Sequence, residues 1–312
     1  MSTATGAQVW TMGESMMSLR ASSALGPTTT WTTHVAGAES NVAIGLARLG
    51  HSVAWASRVG DDDYGRLVVR QVRGEGVDVS GVAVDPDHPT GFMLLAPGAF
   101  GAAVDYHRAG SAASVMDESM VAALEATTPE VAVLSGITPA LGPRPAAATL
   151  ACARRARELG ALVVLDVNHR SKLWSAEQAR QCLTEVLDRV DVLVGSPDEI
   201  DLLGLSVDDL LARGVGEVVV KLGAHGARTH LPARVVDGLT EPLAVVDPVG
   251  AGDAFTAGYV SGLLDGLDPA DRLRRGNLMG GAAVRHSGDW EGLPFRAELL
   301  AREQSAGADV TR

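Results

Sequence analysis

The chain has 312 residues, of which 46% are hydrophobic and 21% are charged, and its formal net charge at pH 7 is −12. A chain of this length can bury a large core. Its negative charge argues against nucleic acid and against anionic membrane surfaces as partners, because both attract clusters of positive charge. No apolar run reaches the roughly 18 residues that a membrane span needs. With no recognisable signal sequence and with two cysteines, the expectation is a cytoplasmic protein without a disulfide framework.

Apolar runs alternate with amphipathic segments along most of the chain. Short apolar runs predict strands at 8–12, 52–57, 131–134, 162–165, 192–194, 218–220 and 243–246. Helical periodicity predicts helices at 40–49, 64–75, 145–159, 176–190, 197–213, 252–264 and 269–286, with a frayed tail after Leu300. Continuous apolar strands alternating with helices indicate a mostly parallel sheet covered on both faces. The sequence therefore predicts a single α/β domain over residues 1–312.

Two segments, 15–35 and 90–108, do not fit this alternation. The first is rich in Ser and Thr, and the second holds two short apolar stretches separated by Gly, Ala and Pro. Both are predicted to form short strands of a small sheet beside the main one. That sheet is either a lid over the carboxyl ends of the main strands or a decorative hairpin, and the pattern favours neither.

The segment 245–264 carries the strongest local signal. Small residues at 250–252 precede Asp253 and the start of a predicted helix. Backbone N–H groups at a helix start lack intrahelical acceptors and the helix dipole adds positive charge, so the turn predicts an anion site. An anion beside a lone carboxylate suits phosphoryl transfer to an alcohol, because the carboxylate accepts the hydroxyl proton. Alone, the segment is equally compatible with an ordinary helix capped by Asp.

Polar residues follow the ends of four predicted strands, where ligands of open parallel sheets bind. These groups are 166–170, 196–199, 221–226 and 247–253. Within them, Arg170 suits a bidentate anion clamp or a surface salt bridge. Glu199 suits a Mg²⁺-bound water or a favourable first-turn acid.

The remaining candidates also have plain alternatives. Gly223 and Gly226 let a nucleotide approach the backbone or make a simple turn. Arg108, on the predicted small sheet, meets a substrate carboxylate or is a charge on an edge strand. A dinucleotide-dependent oxidoreductase is disfavoured, because the 250–255 segment lacks the third glycine of that fingerprint, and no P-loop lysine follows.

Three segments, 36–50, 59–65 and 245–264, resemble the N-terminal and C-terminal signatures of the PfkB, or ribokinase-like, carbohydrate kinases. Further segments at 13–14, 106–114, 134–141 and 166–174 are most similar to those family members that act on 2-keto-3-deoxy sugar acids. The resemblance spans nearly the whole chain. It implies a ribokinase-like fold with a β-sheet lid, ATP and Mg²⁺ as cofactors, and a homo-oligomer formed through the lid.

The resemblance also assigns roles to individual residues. It implies that Asp253 is the general base and that the anion hole is formed by Gly250, Ala251 and Gly252. The implied sugar-acid site consists of Gly37, Asn41, Phe92, Tyr106, Arg108 and Arg170, together with Asp253. The implied nucleotide side consists of Asn168, Lys221, Gly223, Gly226 and Asn277. Glu199 is implied to hold the metal indirectly, through water.

The chain departs from the family pattern at three positions. Ser196 replaces the Asn of the metal-associated motif, Ala36 replaces the first glycine of the N-terminal signature, and His107 replaces an aromatic residue. The working hypothesis is transfer of the γ-phosphoryl group of ATP to the terminal hydroxyl of 2-keto-3-deoxygluconate. The alternatives are a kinase for fructose, ribose or the galactonate epimer, and a binding regulator without turnover. The sequence does not decide the epimer, the metal count or the oligomeric state.

Overall fold

The computed structural model describes residues 6–98, 101–240 and 243–309. The strands, in chain order, are β1 (Val9–Met12), β2 (Met16–Ala21), β3 (Trp31–Ala36), β4 (Val53–Gly60), β5 (Val82–Asp85), β6 (Phe92–Gly98), β7 (Gly101–His107), β8 (Val131–Ser135), β9 (Leu162–Asp166), β10 (Val192–Gly195), β11 (Glu217–Lys221), β12 (Ala227–Leu231) and β13 (Arg234–Gly238). The helices are α1 (Ala38–Arg48), α2 (Asp63–Gly74), α3 (Met120–Thr127), α4 (Pro143–Glu158), α5 (Ala176–Leu187), α6 (Pro197–Leu202), α7 (Val207–Ala212), α8 (Ala251–Leu264), α9 (Pro269–Ala283) and α10 (Arg296–Asp309).

The main sheet has the strand order β13-β12-β11-β10-β9-β8-β1-β4-β5. From β11 to β5 all neighbours are parallel, whereas β12 and β13 are antiparallel at one edge. Successive side chains of a strand point to opposite faces, so Val9 packs into the core under α1, α2, α8 and α9 while Trp10 packs into the core under α3, α4 and α5. The predicted parallel sheet, covered on both faces, is confirmed.

A separate small sheet, called the lid sheet after the role considered for its two segments, has the order β3-β2-β6-β7. Its two hairpins are antiparallel and are joined by the parallel pair β2–β6. The strands come from the two segments that did not fit the alternation; residues 99 and 100, in the predicted turn between them, lie outside the described residues. Pairing of lid sheets between chains stays a prediction.

Three predictions about single elements were wrong. Residues 243–246 form a loop with Val245 and Val246 61% and 66% exposed, because their backbone meets the end of α9 instead of a strand. The helix predicted over 197–213 is split into α6 and α7 at Gly204, whose φ of +68° ends the first helix. The tail after Leu300 continues as α10. Among the described residues, no helix is long and apolar enough to cross a bilayer.

Candidate active site

The small-residue turn predicted as an anion site begins helix α8. Gly250 precedes the helix with φ +76°, a left-handed conformation that favours glycine. A Cβ at this position would lie 2.1 Å from the carbonyl oxygen of Asp289, so a side chain has no room here. Ala251, Gly252 and Asp253 form the first turn, where backbone N–H groups lack intrahelical acceptors. The turn therefore presents donors beside the carboxylate of Asp253.

Asp253 is buried, with 7% of its surface exposed. Its Oδ2 accepts a hydrogen bond of 2.8 Å from Asn41 Nδ2, and its Oδ1 accepts one of 3.3 Å from Asn168 Nδ2. Burial raises the pKa of Asp253 to about 6, although the Asn41 hydrogen bond and the charge of Arg170 oppose the rise. A carboxyl group with this pKa is largely ionised at neutral pH and is a competent proton acceptor.

A cavity on the lid side opens onto Asp253. Its wall contains Gly37 and Asn41 from the start of α1, Tyr106 and Arg108 from the lid sheet and its following turn, and Arg170 from the loop after β9. The cavity thus brings together six of the seven residues implied for the sugar-acid site, Asp253 included. Its lining also includes Glu14 and Asp289, which sequence reasoning did not single out.

The two arginines of this cavity differ in their pairing. Arg108 forms an ion pair with the buried Glu14, which also accepts a hydrogen bond of 2.6 Å from Ser111. Arg108 Nε is buried and has no hydrogen-bond partner among the described residues. Arg170 is exposed and makes no ion pair within the part of the chain that the structure describes. Both arginines therefore bring positive charge to the wall of this cavity.

A second cavity, of about 330 Å³, lies on the other side of the turn. Its lining includes Lys221, Gly223, Gly226 and Asn277, all predicted for the nucleotide side, as well as Ala251 and Gly252. Apolar side chains of Leu243, Val245 and Phe255 complete it. An apolar cavity that ends at backbone donors and a lysine suits a nucleotide, whose base is apolar on its faces and whose phosphates are anionic.

Asn168 is placed differently from the other predicted nucleotide-side residues. It lies next to Asp253 and lines a central cavity between the other two, along with Glu199, Lys221 and Arg170. Its φ of +41° is unusual for a residue other than glycine and turns its amide towards the carboxylate. Asn168 therefore contacts Asp253 and does not line the second cavity.

Glu199 forms a capping box with Ser196 at the start of α6. Its Oε1 accepts from the His169 N–H at 2.9 Å and its Oε2 from the Ser196 N–H at 2.7 Å. The same carboxylate lines the central cavity, so the capping role and the cavity role are both present. Lys221 Nζ lies 2.8 and 2.9 Å from the two carboxylate oxygens of Asp166. Among the described residues, no group of three or more acidic, His or Cys side chains is arranged to hold a metal by itself.

Comparison with known proteins agrees with this arrangement. Residues 7–296 match the model of the pfkB family carbohydrate kinases. The chain belongs to the pfkB family. A 2-dehydro-3-deoxygluconokinase of Bacillus subtilis (strain 168) is 35% identical over 306 residues, covering 93% of this chain and 94% of the relative. A 2-dehydro-3-deoxygalactonokinase of Haloferax volcanii is 32% identical, covering 88% and 89%.

Solved structures place the fold in the same family. The crystal structure of a PfkB protein from Polaromonas sp. JS666 is 35% identical, with a TM-score of 0.85 over 95% of this chain and 99% of that one. The ribokinase-like fold of this pfkB kinase, with its large mostly parallel sheet and separate small sheet, is thereby confirmed. The two cavities on either side of the turn at 250–252, beside Asp253, are the candidate active site of this kinase.

One residue implied for the sugar-acid site lies elsewhere. Phe92 does not line the lid-side cavity; its ring stacks on His107 at 4.5 Å between centroids. Because side chains of a strand alternate, the neighbouring Met93 reaches the cavity, on the same face as its cross-strand partner Tyr106. Met93 thus occupies the place on the cavity wall that was expected of Phe92.

Sequence reasoning also missed a buried polar network around the turn. Arg20 on β2 pairs with both Asp247 and Asp289, and Asp289 accepts from Asn41. No local signal marks Arg20, because an arginine within the Ser- and Thr-rich segment 15–35 is most simply interpreted as a surface charge. Only the fold, which brings residue 20 next to residues 247 and 289, reveals that it is buried.

Proposed function

We propose that this kinase transfers the γ-phosphoryl group of ATP to the terminal hydroxyl of 2-keto-3-deoxygluconate. The observation that carries the proposal is the position of Asp253. It lies at the start of α8, between a cavity with two arginines and a cavity suited to a nucleotide. The named relative from Bacillus subtilis, similar over nearly its full length, supports the same substrate.

In the proposed reaction, the sugar hydroxyl oxygen attacks the γ-phosphorus while the bond from that phosphorus to the β,γ-bridging oxygen breaks. The hydroxyl proton passes to Asp253, which Asn41 and Asn168 hold in place. The N–H groups of the turn stabilise the charge that develops on the phosphoryl oxygens. Phosphoryl transfer requires little covalent chemistry from the protein, so positioning and electrostatics supply most of the rate.

The donor set around the central cavity fits Mg²⁺. This ion keeps several waters and is usually held by one or two carboxylates together with substrate phosphates. We propose that Glu199 holds the ion through water. Lys221 contributes positive charge beside the turn, since its Nζ lies 3.4 Å from the position that a Cβ of residue 252 would occupy. When bound, the ion neutralises phosphate charge.

The substrate end of the proposal rests on Arg108 and Arg170, which offer donors to a carboxylate in the lid-side cavity. The galactonate epimer is a second candidate, because the Haloferax volcanii relative that carries this name is 32% identical. The two acids share the carboxylate and the keto group, so the arginines alone do not separate them.

The direct test is ADP release measured with 2-keto-3-deoxygluconate, its C4 epimer, fructose and ribose. We expect the highest kcat/KM with 2-keto-3-deoxygluconate. The substitution Asp253→Asn should lower kcat by roughly 10²–10⁴-fold, since it removes the proton acceptor and keeps the shape. The matched control is Asp188→Asn, which changes an exposed carboxylate at the end of α5. Higher turnover of a neutral sugar, near-normal kcat in Asp253→Asn, or ligand binding without ADP formation would each contradict the proposal.

A selectivity prediction concerns Arg108. Arg108→Met removes the charge but keeps much of the side-chain length, and should raise KM for the sugar acid by about 10–100-fold, the value of a lost charged hydrogen bond. KM for any neutral sugar that is turned over should change little. Arg144→Met, which breaks an exposed pair with Asp117, is the control. An equal rise in KM for sugar acids and for neutral sugars would show that Arg108 supports the lid sheet and does not bind the carboxylate.

A further inference from the structure

We propose that Arg20 is a positioning residue that ties the lid sheet to the catalytic turn and sets the charge around Asp253. The inference rests on the proposed kinase function. Arg20 lies on β2 with 6% of its surface exposed. Arginine is almost never buried to this extent unless its charge is paired. Its burial therefore indicates that the fold needs a paired positive charge at this position.

The pairing of Arg20 joins two segments that are distant in sequence. One terminal nitrogen contacts Asp247 Oδ2, and the other donates to Asp289 Oδ1 at 2.7 Å. Asp247 also accepts from the Val249 N–H at 3.0 Å, within the loop that leads into the turn. The guanidinium thus holds the loop before α8 and the segment after α9 at a fixed separation, as its planar fork allows.

The chain of contacts continues from Asp289 to the base. Asn41 Nδ2 lies 3.4 Å from Asp289 Oδ2 and 2.8 Å from Asp253 Oδ2. The backbone of Asp289 also touches the turn directly, because its carbonyl oxygen fills the space where a Cβ of Gly250 would lie. Arg20 therefore supports the position of the turn through its backbone and that of Asp253 through Asn41.

Charge gives Arg20 a second effect. Asp247, Asp253 and Asp289 belong to one hydrogen-bonded network, and Arg20 is the cation paired with two of them. Burial raises the pKa of Asp289, and the charge of Arg20 opposes this rise. Other charged groups also surround these acids. Near Asp253 they are Glu39 on α1, Arg108 after β7, Asp166 at the end of β9, Arg170 in the next loop and Lys221 at the end of β11; near Asp289 they are Glu291 and its partner His34. Without the charge of Arg20, ionisation of Asp253 and of Asp289 should become harder.

The test compares Arg20→Met and Arg20→Lys with the wild type in kcat and in the pH profile of kcat/KM. Arg20→Met should lower kcat at pH 7 by about 10–100-fold, the scale of a displaced catalytic geometry. The acid limb of its profile, the pH range in which kcat/KM rises as the base loses its proton, should move to higher pH. Arg20→Lys keeps the charge but cannot fork across two carboxylates, so it should keep the wild-type limb and recover only part of kcat.

An unchanged acid limb in Arg20→Met would overturn the proposal even if kcat fell, because a purely structural role predicts that result. An equal shift in both variants would also overturn it. The matched control is Arg275→Met, which removes another buried arginine, one that bridges Asp265 and Glu303. It should lower Tm and leave the acid limb in place.

A second readout needs no turnover. Burial raises the folded-state pKa of Asp289 and Arg20 opposes that rise, so Arg20→Met should raise this pKa further. Ionising the acid as pH rises above its unfolded pKa then costs the variant more stability than it costs the wild type. The Tm difference from wild type should widen between pH 5 and pH 8, and a constant difference would contradict the proposal. Arg20→Lys, with a smaller widening, keeps this test available if Arg20→Met does not fold. Wild-type protein that phosphorylates none of the sugars would refute the kinase proposal and leave this measurement standing.

Discussion

At the scale of single residues, Asp253 meets two opposing demands. In the proposed reaction it must be shielded from water to act on a hydroxyl beside a phosphate, yet it must be ionised to accept a proton. Burial opposes ionisation, whereas the hydrogen bond from Asn41 and the charges of Arg170 and Lys221 favour it. The balance leaves its pKa at about 6, close to the range in which a general base works well at neutral pH.

This balance predicts the pH dependence of catalysis. Because the base acts only when deprotonated, kcat/KM should rise with pH through about 6 and then level off. Initial rates from pH 4.5 to 8 at saturating ATP measure the limb. A limb near pH 4, where an ordinary exposed carboxyl titrates, would mean that Asp253 is solvated in the working enzyme or that another group limits the rate.

At the scale of elements, the start of α8 explains why two cavities meet at one carboxylate. The left-handed Gly250 reverses the chain direction before the helix, so the first-turn N–H groups and Asp253 face the same space. The close contact with Asp289 fixes the turn against the segment that follows α9. The proposed catalytic geometry therefore depends on the absence of a side chain at position 250.

Gly250→Ala tests this dependence. The new Cβ would meet the Asp289 carbonyl at 2.1 Å and would also require an unfavourable φ, so the turn must move and kcat/KM should fall by about 10²-fold or more. Gly266→Ala, at the other end of α8, is the matched control, because φ is +69° there and nothing lies within 4 Å of a new Cβ. It should cost about 1–2 kcal/mol of stability and leave kcat/KM unchanged. Equal activity loss in both variants would rule out the contact as the cause.

At the scale of the whole molecule, buried acids make the stability of the fold depend on pH. Glu39 on α1 is 1% exposed, and burial raises its pKa to about 8. Its Oε1 accepts from Thr138, whereas Oε2 has no hydrogen-bond partner among the described residues. An acid whose folded pKa exceeds its unfolded value of 4.5 stabilises the fold at low pH, and that contribution is lost as pH rises from 4.5 to about 8.

Glu39→Gln should therefore flatten the pH dependence of the free energy of unfolding. The amide oxygen can still accept from Thr138, and no charge forms at high pH. Relative to wild type, the variant should gain stability by a few kcal/mol between pH 5 and pH 8. Urea unfolding at several pH values measures the gain, with Glu158→Gln as the exposed-carboxylate control. A gain that does not grow with pH would show that Glu39 is ionised in the folded protein.

The sequence by itself determined the family, the position of the small-residue turn and most of the residues that line the candidate site. Segments 36–50 and 245–264 carry these features because their chemistry is local: small residues that expose backbone donors, followed by one carboxylate at a helix start. Alternating apolar runs likewise determined the parallel sheet, since each buried strand is continuous in sequence. Lys221, Gly223, Gly226 and Asn277, predicted together from the sequence, line one cavity; their role in nucleotide binding stays a prediction.

Only the tertiary structure decided what depends on contacts between distant segments. Residues 243–246 have the composition of a strand, but the sheet edge is taken by β12 and β13, so they form a loop. The face of β6 that lines the lid-side cavity depends on the register of β6 with β7. This register places Met93, and not Phe92, in the cavity wall. The pairing of Arg20 with Asp247 and Asp289 spans more than two hundred residues, and no local pattern encodes such a contact.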